Sequence, residues 1–475
     1  MSKIVFIEPK APNLHIYSQF KLPRLGIYIL GALMKKRGWD ADMIYEEKER
    51  IDYSYFDDVD LVGISTITST APRAYKIADR IRSMGIPVIM GGPHVTFLSE
   101  EALEHADFVI RGEGENALMK FIDAWEGNEE YSKVPSLSYR KNGKSIHNPK
   151  GPMIEDLDEI PFPNFEKTYA QNAQHKRQTI PVQTSRGCPF NCEFCSVTGM
   201  FGKKFRFRST QNIIKELRQY NKRSNHIFFY DDNFAANRKR MRLLLEAMIK
   251  ENFKFDWSTQ VRVDVAKHED LLKLMYRAGC RVLYIGLESV NPRSLKSMKK
   301  NQTVGQIKNA VKVIQKNKIR IHGMFIYGFD DDDWQTVKKT IRFAKKTGIS
   351  SSQFLILTPL PGSELYEKFV SQKRLVFKDW SLYDAHHVVF RPAKFTFMAL
   401  QKAQIISHKK FYSLKRSIKK FFQFKWIELA LDHYARKLNR MWEKKNQTFL
   451  KVMDILTSKK NASIKLDFKQ NIKLD

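Results

Sequence analysis

Apolar residues follow two alternating patterns along the chain, most regularly from about residue 176 to residue 392. Short apolar and β-branched runs predict strands, and stretches with an apolar residue every three to four positions predict helices. The predicted strands are Thr179–Ser185, Ile227–Tyr230, Phe255–Val261, Val282–Leu287, Ile321–Tyr327 and Phe354–Thr358. The predicted helices cover about residues 210–221, 237–252, 268–278, 303–317 and 333–347. Six βα units imply parallel strands that curl into a partial (β/α)6 barrel, with the chemistry at the carboxyl ends of the strands.

A second βα alternation occupies residues 1–135. The predicted strands are Lys3–Glu8, Leu61–Ser65, Val88–Met90 and Phe108–Ile110, and the predicted helices are Arg24–Arg37 and Ala71–Ser83. Glycines follow two of the strands, in Gly91-Gly92-Pro93-His94 and in Arg111-Gly112-Glu113-Gly114-Glu115. We therefore predict a doubly wound, Rossmann-like sheet whose ligand lies outside the carboxyl ends of its strands. No Gly-x-Gly-x-x-Gly opens a helix after the first strand, so a nicotinamide or flavin dinucleotide is not expected.

The remaining segments connect or extend these two domains. Residues 136–175, with prolines and acidic residues around Ile154–Pro163, are predicted to be a connecting segment, and residues 393–475 a basic helical extension. The apolar run Ile4–Ile7 is broken at Glu8, and no run of 18 apolar residues exists. We therefore expect neither a signal peptide nor a membrane-spanning helix.

Three of the four cysteines lie within eight residues, at Cys188, Cys192 and Cys195. A Cys-x-x-x-Cys-x-x-Cys loop after a strand can wrap three thiolates around one metal centre. Three ligands suit a [4Fe–4S] cluster that keeps one iron open, whereas structural zinc normally needs a fourth Cys or His, usually from a second ligand pair. No such pair follows here. The fourth cysteine, Cys280, is predicted to be a small core residue, and thinly used cysteines indicate a reducing cytoplasm.

By this cysteine motif and the sixfold βα order, residues 176–392 resemble the radical S-adenosylmethionine (SAM) superfamily. The resemblance implies that the open iron binds the amino and carboxylate groups of SAM, and that one electron cleaves SAM to a 5′-deoxyadenosyl radical. It makes Cys188, Cys192 and Cys195 the catalytic cluster ligands, with Phe194 as a shielding neighbour. In this family a Gly-Gly-Glu often follows the second strand, but this chain has Tyr230-Asp-Asp-Asn233 there.

Polar residues at other barrel strand ends are further candidates for binding SAM. Asp232, or its neighbours Asp231 and Asn233, is a candidate for the amino group, with helix capping as the alternative. Arg262 could fork onto the carboxylate. Glu288, in Gly286-Leu-Glu-Ser289, resembles the family segment that contacts the ribose and carboxylate, and Pro359-Leu-Pro-Gly362 resembles its adenine-flanking turn.

Ahead of such a barrel, the N-terminal domain resembles a cobalamin-binding domain. The resemblance rests on Leu22–Gly26, Val62–Thr66, Gly91–His94 and Arg111–Glu115. The candidate cofactor-binding residues that it implies are Ser65, Thr66, Gly91, Gly92, His94, Gly112, Glu113 and Gly114. The domain lacks the Asp-x-His-x-x-Gly in which a histidine ligates cobalt; Asp384-Ala-His386 lies elsewhere and lacks the glycine. The alternative is a degenerate scaffold without a ligand.

The charge of the chain is strongly positive and uneven. There are 82 Lys and Arg against 51 Asp and Glu, a net +31. Residues 393–475 hold 20 basic and 6 acidic residues, a net +14, and Ile406–Trp442 interleaves them with aromatic residues. Such a segment suits a helix on an anionic membrane surface or an RNA contact. The alternative is a solvated tail that packs one face on the barrel.

Three functions compete. The first is a cobalamin-dependent radical SAM methylase acting on an unactivated carbon of a small-molecule or lipid substrate, with an electron donor of the flavodoxin or ferredoxin type. The second is a ring-forming enzyme with the same cofactors, and the third a non-catalytic iron–sulfur or nucleic-acid-binding protein. A methylthiotransferase is not expected, because it would need a second three-cysteine cluster and only Cys280 remains. We favour the methylase, in the cytoplasm with peripheral contact to an anionic membrane, and do not expect a nucleic-acid partner.

Overall fold

The computed structural model describes residues 1–13, 22–170 and 178–458. The chain divides into two compact units. Within the described residues, the first holds residues 1–12, 22–170, 178–189 and 196–230, and the second holds residues 13, 190–195 and 231–458.

The first unit is built on a seven-stranded sheet. Its strands are β1 Lys3–Glu8, β2 Asp40–Tyr45, β3 Leu61–Ser65, β4 Val88–Gly91, β5 Phe108–Ile110, β6 Leu137–Lys141 and β7 Lys144–His147. The spatial order is β2-β1-β3-β4-β5-β6-β7. The pairs from β2 to β5 are parallel, and β6 and β7 add on antiparallel. The 2-1-3-4-5 order of the parallel strands is that of a doubly wound fold, which confirms the predicted class.

Helices cover this sheet. They are α1 Leu25–Arg37, α2 Ala71–Arg82, α3 Pro93–Phe97, α4 Ser99–Ala102, α5 Glu115–Trp125 and α6 Glu166–Ala170. In α2 the buried residues Ala71, Ala74, Ile77, Ala78 and Ile81 recur at helical spacing, which explains why its bounds were predictable.

The first unit also contains the beginning of the barrel. Its elements are β8 Gln178–Val182, β9 Ser185–Arg186, α7 Val197–Phe201, β10 Arg206–Phe207, α8 Thr210–Gln219 and β11 Asn225–Phe229. Strand β8 pairs in parallel with β11, and β9 pairs antiparallel with β10.

The second unit contains the rest of the barrel and the C-terminal helices. Its strands are β12 Asp256–Val261, β13 Cys280–Glu288, β14 Arg320–Tyr327 and β15 Ser351–Ile356. Its helices are α9 Arg238–Glu251, α10 Glu269–Arg277, α11 Pro292–Ser297, α12 Val304–Lys316, α13 Trp334–Lys346, α14 Glu364–Ser371, α15 Phe397–Phe411, α16 Leu414–Phe422, α17 Trp426–Lys445 and α18 Gln447–Ser458.

Within the second unit the strand order is β15-β14-β13-β12, and within the first unit β11 lies beside β8. The pairs β12–β13, β13–β14 and β14–β15 are parallel. This order follows the chain, as the predicted partial (β/α)6 barrel requires.

The edge strand β2 and the β6–β7 hairpin were not predicted from the sequence. Strand β2 begins Asp-Ala-Asp, which weakens its apolar signal. The hairpin lies within the predicted connecting segment, and its turn, Asn142-Gly143, takes left-handed backbone angles at both residues. Asn-Gly between two strands is a strong hairpin signal, so this element was readable from the sequence.

Candidate active site

The cysteine loop is closed at its base by short backbone contacts. Strands β9 and β10 pair Arg186 with Arg206, and the Cys188 N–H donates to the Gly202 carbonyl at 3.3 Å. Gly187 has φ +88°, and a Cβ there would overlap the Lys204 carbonyl. Only glycine allows this close approach just before the first cysteine.

The three cysteines of the motif are half-buried, and none forms a disulfide. The Cys195 N–H donates to the Cys192 carbonyl at 3.1 Å, which tightens the second half of the loop. Among the described residues, no group of three or more His, Cys, Asp or Glu is arranged around a single metal ion. Each thiolate of a [4Fe–4S] cluster binds a different iron, and three reduced, accessible thiols are the donor set that such a cluster needs. Cys280 is fully buried, as predicted for a core residue.

A buried network of two arginines and two glutamates supports this loop. Arg186 donates from Nη1 to Glu113 Oε1 at 3.2 Å and from Nη2 to Glu115 Oε1 at 2.5 Å. Arg206 donates from Nη1 to Glu113 Oε2 at 2.8 Å and to the Ile154 carbonyl at 2.6 Å. Burial raises the pKa of Glu113, but the hydrogen bond from Arg206 and the charge of Arg186 outweigh it and hold that pKa below its ordinary value. The four charges balance, so the network ties the end of β5 to the base of the cysteine loop.

Glu113 was predicted to bind a cofactor, and its pairing with Arg186 and Arg206 was not predicted from the sequence. Both Glu113 oxygens are engaged by protein donors, including the Ile154 N–H at 2.9 Å. Contact between Glu113 and a cofactor stays a prediction; the structure gives its carboxylate a supporting position. The signals in the sequence were the position of Arg186 two residues before the first cysteine and the glycine-flanked Glu113 and Glu115 after β5.

After β11, the acidic pair Asp231–Asp232 begins the second unit. Asp231 is buried, whereas Asp232 as a whole residue is exposed. Protein surrounds Asp232 closely enough that desolvation, together with the charge of Asp231, raises its pKa to about 7. Asn237 caps the following helix by accepting from the Arg240 N–H at 3.1 Å, so the alternative that Asp232 or Asn233 is the cap is wrong.

Arg262 and Glu288 lie at the carboxyl ends of β12 and β13 and share one neighbour, Lys300. Arg262 stacks over the Phe190 ring at 3.8 Å and donates from Nη2 to the Lys300 carbonyl. Lys300 Nζ donates to Glu288 Oε1 at 2.6 Å, and both side chains are buried. Lys300 was not singled out in the sequence, since lysines are common throughout this chain.

The backbone at Glu288 is unusual. Its φ is +57°, and the register between β13 and β14 shifts between Gly286 and Glu288. Gly286 has no side chain, and a Cβ there would overlap the Glu288 carboxylate. Left-handed, non-glycine residues of this kind concentrate at functional sites.

Phe194 lies within the same unit. Its ring meets the Phe329 ring edge to face at 6.1 Å. An aromatic pair beside Cys195 fits the predicted shielding of a cluster, which stays a prediction.

At the carboxyl edge of the N-terminal sheet, the backbones of the segments after β3 and β4 contact each other. The Thr66 N–H donates to the Gly91 carbonyl at 2.9 Å, and Thr66 Oγ1 donates to the same oxygen at 3.1 Å. Gly92 has φ +100°, and a Cβ there would overlap the Thr66 carbonyl. Ser65 ends β3 half-buried. We call these strand ends, Ser65, Thr66, Gly91 and Gly92, the ledge; their close backbone contact requires glycine at position 92.

The other cofactor-binding candidates at this edge, Gly112, Gly114 and His94, also contact protein groups. The Gly112 N–H donates to Thr96 Oγ1 at 2.9 Å, and Gly114 lies against Leu30. His94 is fully buried in α3, with Nε2 3.4 Å from Glu101 Oε1 and its ring 6.1 Å from that of Tyr75. The histidine therefore has partners inside its own domain. Sequence analysis missed Glu8 at the end of β1, where burial, opposed by Arg24, raises the pKa to about 7.

The basic C-terminal segment is a set of packed helices. Phe411, one of the aromatic residues predicted to face a membrane, is fully buried, and His408 Nε2 accepts from the Phe354 N–H at 3.2 Å. That part of the prediction is wrong, because α15 packs on β15. Within the described residues, no helix has the length and apolar character needed to cross a bilayer.

Known proteins share both halves of this chain. Residues 15–122 match the B12 binding domain and residues 182–344 match the Radical SAM superfamily. An uncharacterized methyltransferase of Pyrococcus horikoshii is 34% identical over 407 residues, which cover 82% of this chain and 88% of that protein. The chain belongs to the cobalamin-binding radical SAM family.

Other known proteins are similar to this chain in sequence or in fold. The bacteriochlorophyllide d C-12(1)-methyltransferase of Chlorobaculum tepidum is 30% identical, covering 86% of this chain and 88% of that protein. An anaerobic magnesium-protoporphyrin IX monomethyl ester cyclase of Cereibacter sphaeroides is 27% identical, covering 89% and 72%. The cobalamin-dependent SAM radical enzyme OxsB shares the fold, with a TM-score of 0.70 at 15% identity over 94% of this chain and 75% of that chain.

Family membership settles the general function. The protein is an enzyme, and its cofactors are a [4Fe–4S] cluster, SAM and cobalamin, as the sequence predicted. The non-catalytic alternative is therefore wrong. The family contains both methyltransferases and cyclases.

Proposed function

We propose that this enzyme transfers a methyl group to an unactivated carbon of a hydrophobic small molecule or lipid. The observation that carries the proposal is the similarity to methyltransferases along most of both chains, at 34% and 30% identity. The enzyme takes its electrons from a reductant of the flavodoxin or ferredoxin type.

Cys188, Cys192 and Cys195 would hold the cluster, and the ledge of Ser65, Thr66, Gly91 and Gly92 would receive cobalamin. When bound, the cluster supplies the electron that cleaves SAM to the deoxyadenosyl radical, and cobalamin supplies the methyl group. Asp232, in its ionised form, accepts hydrogen bonds from the amino group of SAM. Arg262, held flat by Phe190, donates to the SAM carboxylate, and Glu288 orients the ribose.

We infer that His94 does not ligate cobalt. Its Nε2 faces Glu101 and its side chain has no exposed surface, so reaching a corrin would leave Glu101 without this contact. Electron paramagnetic resonance of the Co(II) protein should lack nitrogen hyperfine splitting from a histidine. Splitting that disappears in His94→Ala would overturn this inference.

Labelling with methionine that carries a deuterated methyl group tests methyl transfer in cells. Lipid and pigment extracts of the native strain should contain a product that carries the intact labelled methyl group, and a deletion strain should accumulate a precursor lighter by one methylene. With the purified enzyme and that precursor, each product should appear with one 5′-deoxyadenosine and one S-adenosylhomocysteine.

Ring closure is the second candidate, favoured by the cyclase relative that covers 89% of this chain. A cyclase needs no methyl donor. A product without the label, formed with 5′-deoxyadenosine but without S-adenosylhomocysteine, would replace the methyltransferase proposal with the cyclase.

A further inference from the structure

The connection between α16 and α17 exposes an unusual concentration of apolar side chains. We call residues 414–427 the aromatic tip. Every residue from 421 to 427 is exposed, including Phe422 at 73% and Phe424 at 76%. The other exposed apolar residues of the tip are Leu414, Ile418, Phe421, Trp426 and Ile427. A contiguous apolar patch of this kind marks an interaction surface.

Buried polar contacts fix the base of the tip. Arg416 pairs with Asp432 at 2.9 Å and donates from Nη2 to the Ser350 carbonyl at 2.7 Å. Arg436 donates to Ser417 Oγ at 2.5 Å. The aromatic side chains are therefore presented by an anchored helical hairpin.

Phe424 occupies a position that favours glycine or asparagine. Its φ is +54°, and its N–H donates to the Phe421 carbonyl at 3.0 Å as α16 ends. A left-handed residue with a large side chain costs about 1–2 kcal/mol. Phe424 recovers none of this by burial, although its ring lies 6.1 Å from that of Trp426. The left-handed turn closes α16, and it leaves the Phe424 ring exposed and available for binding.

Cations surround the patch. Lys415, Lys419 and Lys425 are exposed, and no carboxylate of the described residues forms an ion pair with them. Lys420, by contrast, is neutralised by Glu428. A symmetric contact between two copies would bring like-charged lysines together, because a twofold interface uses the same patch twice. This combination of exposed lysines and apolar side chains fits a partner with anionic groups at its surface and an apolar interior beneath them.

The tip is also separate from the candidate active site. Arg416 bonds to the carbonyls of Ile349 and Ser350, just before the amino end of β15. The SAM-binding candidates lie at the opposite, carboxyl ends of the barrel strands. The tip therefore has no place in the binding of SAM by these residues.

We propose that the aromatic tip is a membrane anchor that inserts into the headgroup region of an anionic bilayer. Phe421, Phe422, Phe424 and Trp426 enter the boundary between headgroups and acyl chains, and the three lysines pair with lipid phosphates. The proposal narrows the predicted membrane segment, Ile406–Trp442, to fourteen residues. It does not depend on whether the reaction is methylation or cyclisation.

The full-length holoenzyme should co-sediment with vesicles of phosphatidylcholine and phosphatidylglycerol, and much more weakly with phosphatidylcholine alone. A triple Lys415→Gln, Lys419→Gln, Lys425→Gln variant should bind anionic vesicles about a hundredfold more weakly at low salt. A triple Phe422→Ser, Phe424→Ser, Trp426→Ser variant should lose at least about tenfold. SAM cleavage by both variants should match the native enzyme.

Matched control variants distinguish binding by the tip from a general effect of exposed lysines or exposed apolar residues. Lys338, Lys339 and Lys345 are exposed on α13, and Leu243 is exposed on α9. Changing these lysines to Gln, or Leu243 to Ser, should leave vesicle binding within about twofold. Equal binding to neutral and anionic vesicles, equal losses in the controls, or a preference for RNA over vesicles would each overturn the proposal. So would a native dimer that the tip variants convert to monomers.

Failure of the two proposals is distinguishable. Vesicle binding by an enzyme that cleaves SAM but transfers no methyl group leaves the tip proposal intact and removes the methyltransferase. Methyl transfer by an enzyme that binds no vesicles would support the methyltransferase and remove the membrane anchor.

Discussion

The two sheets present different chemistry at their carboxyl edges. At the N-terminal sheet, Gly92 allows the Thr66 backbone to approach closely. The side chains of Thr66, His94 and Glu113 bond to protein partners. At the barrel sheet, Asp232, Arg262 and Glu288 place ionisable side chains after successive strands. The first edge is suited to a large, flat ligand that contacts backbone, and the second to a small ligand with charged groups.

The charged side chains therefore have different roles in the N-terminal domain and in the barrel. In the first unit the buried charges of Glu113, Arg186 and Arg206 pair with one another and serve as internal supports. SAM carries an amino group and a carboxylate, so the barrel must offer charges of both signs. The cysteine loop follows the same division, since its base is supported by the buried arginine–glutamate network of the first unit.

The largest expected effect is at the cysteines. Replacing Cys188, Cys192 or Cys195 with Ala should abolish the reducible cluster and 5′-deoxyadenosine formation, because two thiolates cannot hold a cubane. Iron content and electron paramagnetic resonance of the reduced protein measure this. Cys280→Ala should keep both, and retention of SAM cleavage in a triple cysteine variant would falsify the assignment.

Next in size is the buried network. Glu113→Gln removes the carboxylate shared by Arg186 and Arg206 and should cost about 3 kcal/mol in the free energy of unfolding, since it leaves buried charge uncompensated. Because the folded pKa of Glu113 is lowered, its contribution is present above its ordinary pKa of 4.5 and is lost as the pH falls through the folded value. Urea denaturation as a function of pH measures this, and iron retention reports on the loop.

The control for this change is Glu155→Gln. Glu155 pairs with Lys204 near the same loop, but both side chains are about two-thirds exposed. Its loss should cost less than about 1 kcal/mol. Equal effects of the two changes would contradict the supporting role of Glu113.

The glycine ledge gives a third test. Gly92→Ala should destabilise the first unit by at least about 2 kcal/mol and prevent cobalamin binding, because its Cβ meets the Thr66 backbone at a left-handed φ. Gly85→Ala is the matched control, since Gly85 also has a left-handed φ of +84° but its Cβ would find no atom within 4 Å, so cobalamin binding should persist. Absorption spectra of reconstituted protein measure cobalamin. A Gly92→Ala protein that binds cobalamin normally would show that the ledge is not the binding surface.

The smallest effect is the titration of Asp232. Its pKa is raised from 3.8 to about 7, so the folded protein binds more protons than the unfolded chain within that window. Stability of the cofactor-free enzyme should therefore fall as the pH rises from about 4 to about 7, and Asp232→Asn should flatten this fall. SAM affinity should rise over the upper part of the window, since the ionised carboxyl is the form proposed to receive the amino group. Affinity that is independent of pH in the native enzyme would remove Asp232 from SAM binding.

Local patterns in the sequence determined the fold class and the cluster motif. Strands β1, β3 and β5 were predicted at their observed bounds, because contiguous apolar runs between turns encode buried parallel strands without help from the rest of the chain. The spacing of the three cysteines fixes their chemistry for the same local reason. The Asn142-Gly143 hairpin was equally local and should have been predicted.

Only the tertiary structure decided which charges are supports and which apolar residues are exposed. Glu113 and Arg186 are far apart in sequence, and their pairing required the fold to bury them together. Phe411 and Phe422 belong to the same basic, aromatic segment, yet one is fully buried and the other is 73% exposed. Residue type and spacing are similar at both positions, so their burial depends on which helix packs against β15. That packing is a long-range property, and periodicity along the chain does not encode it.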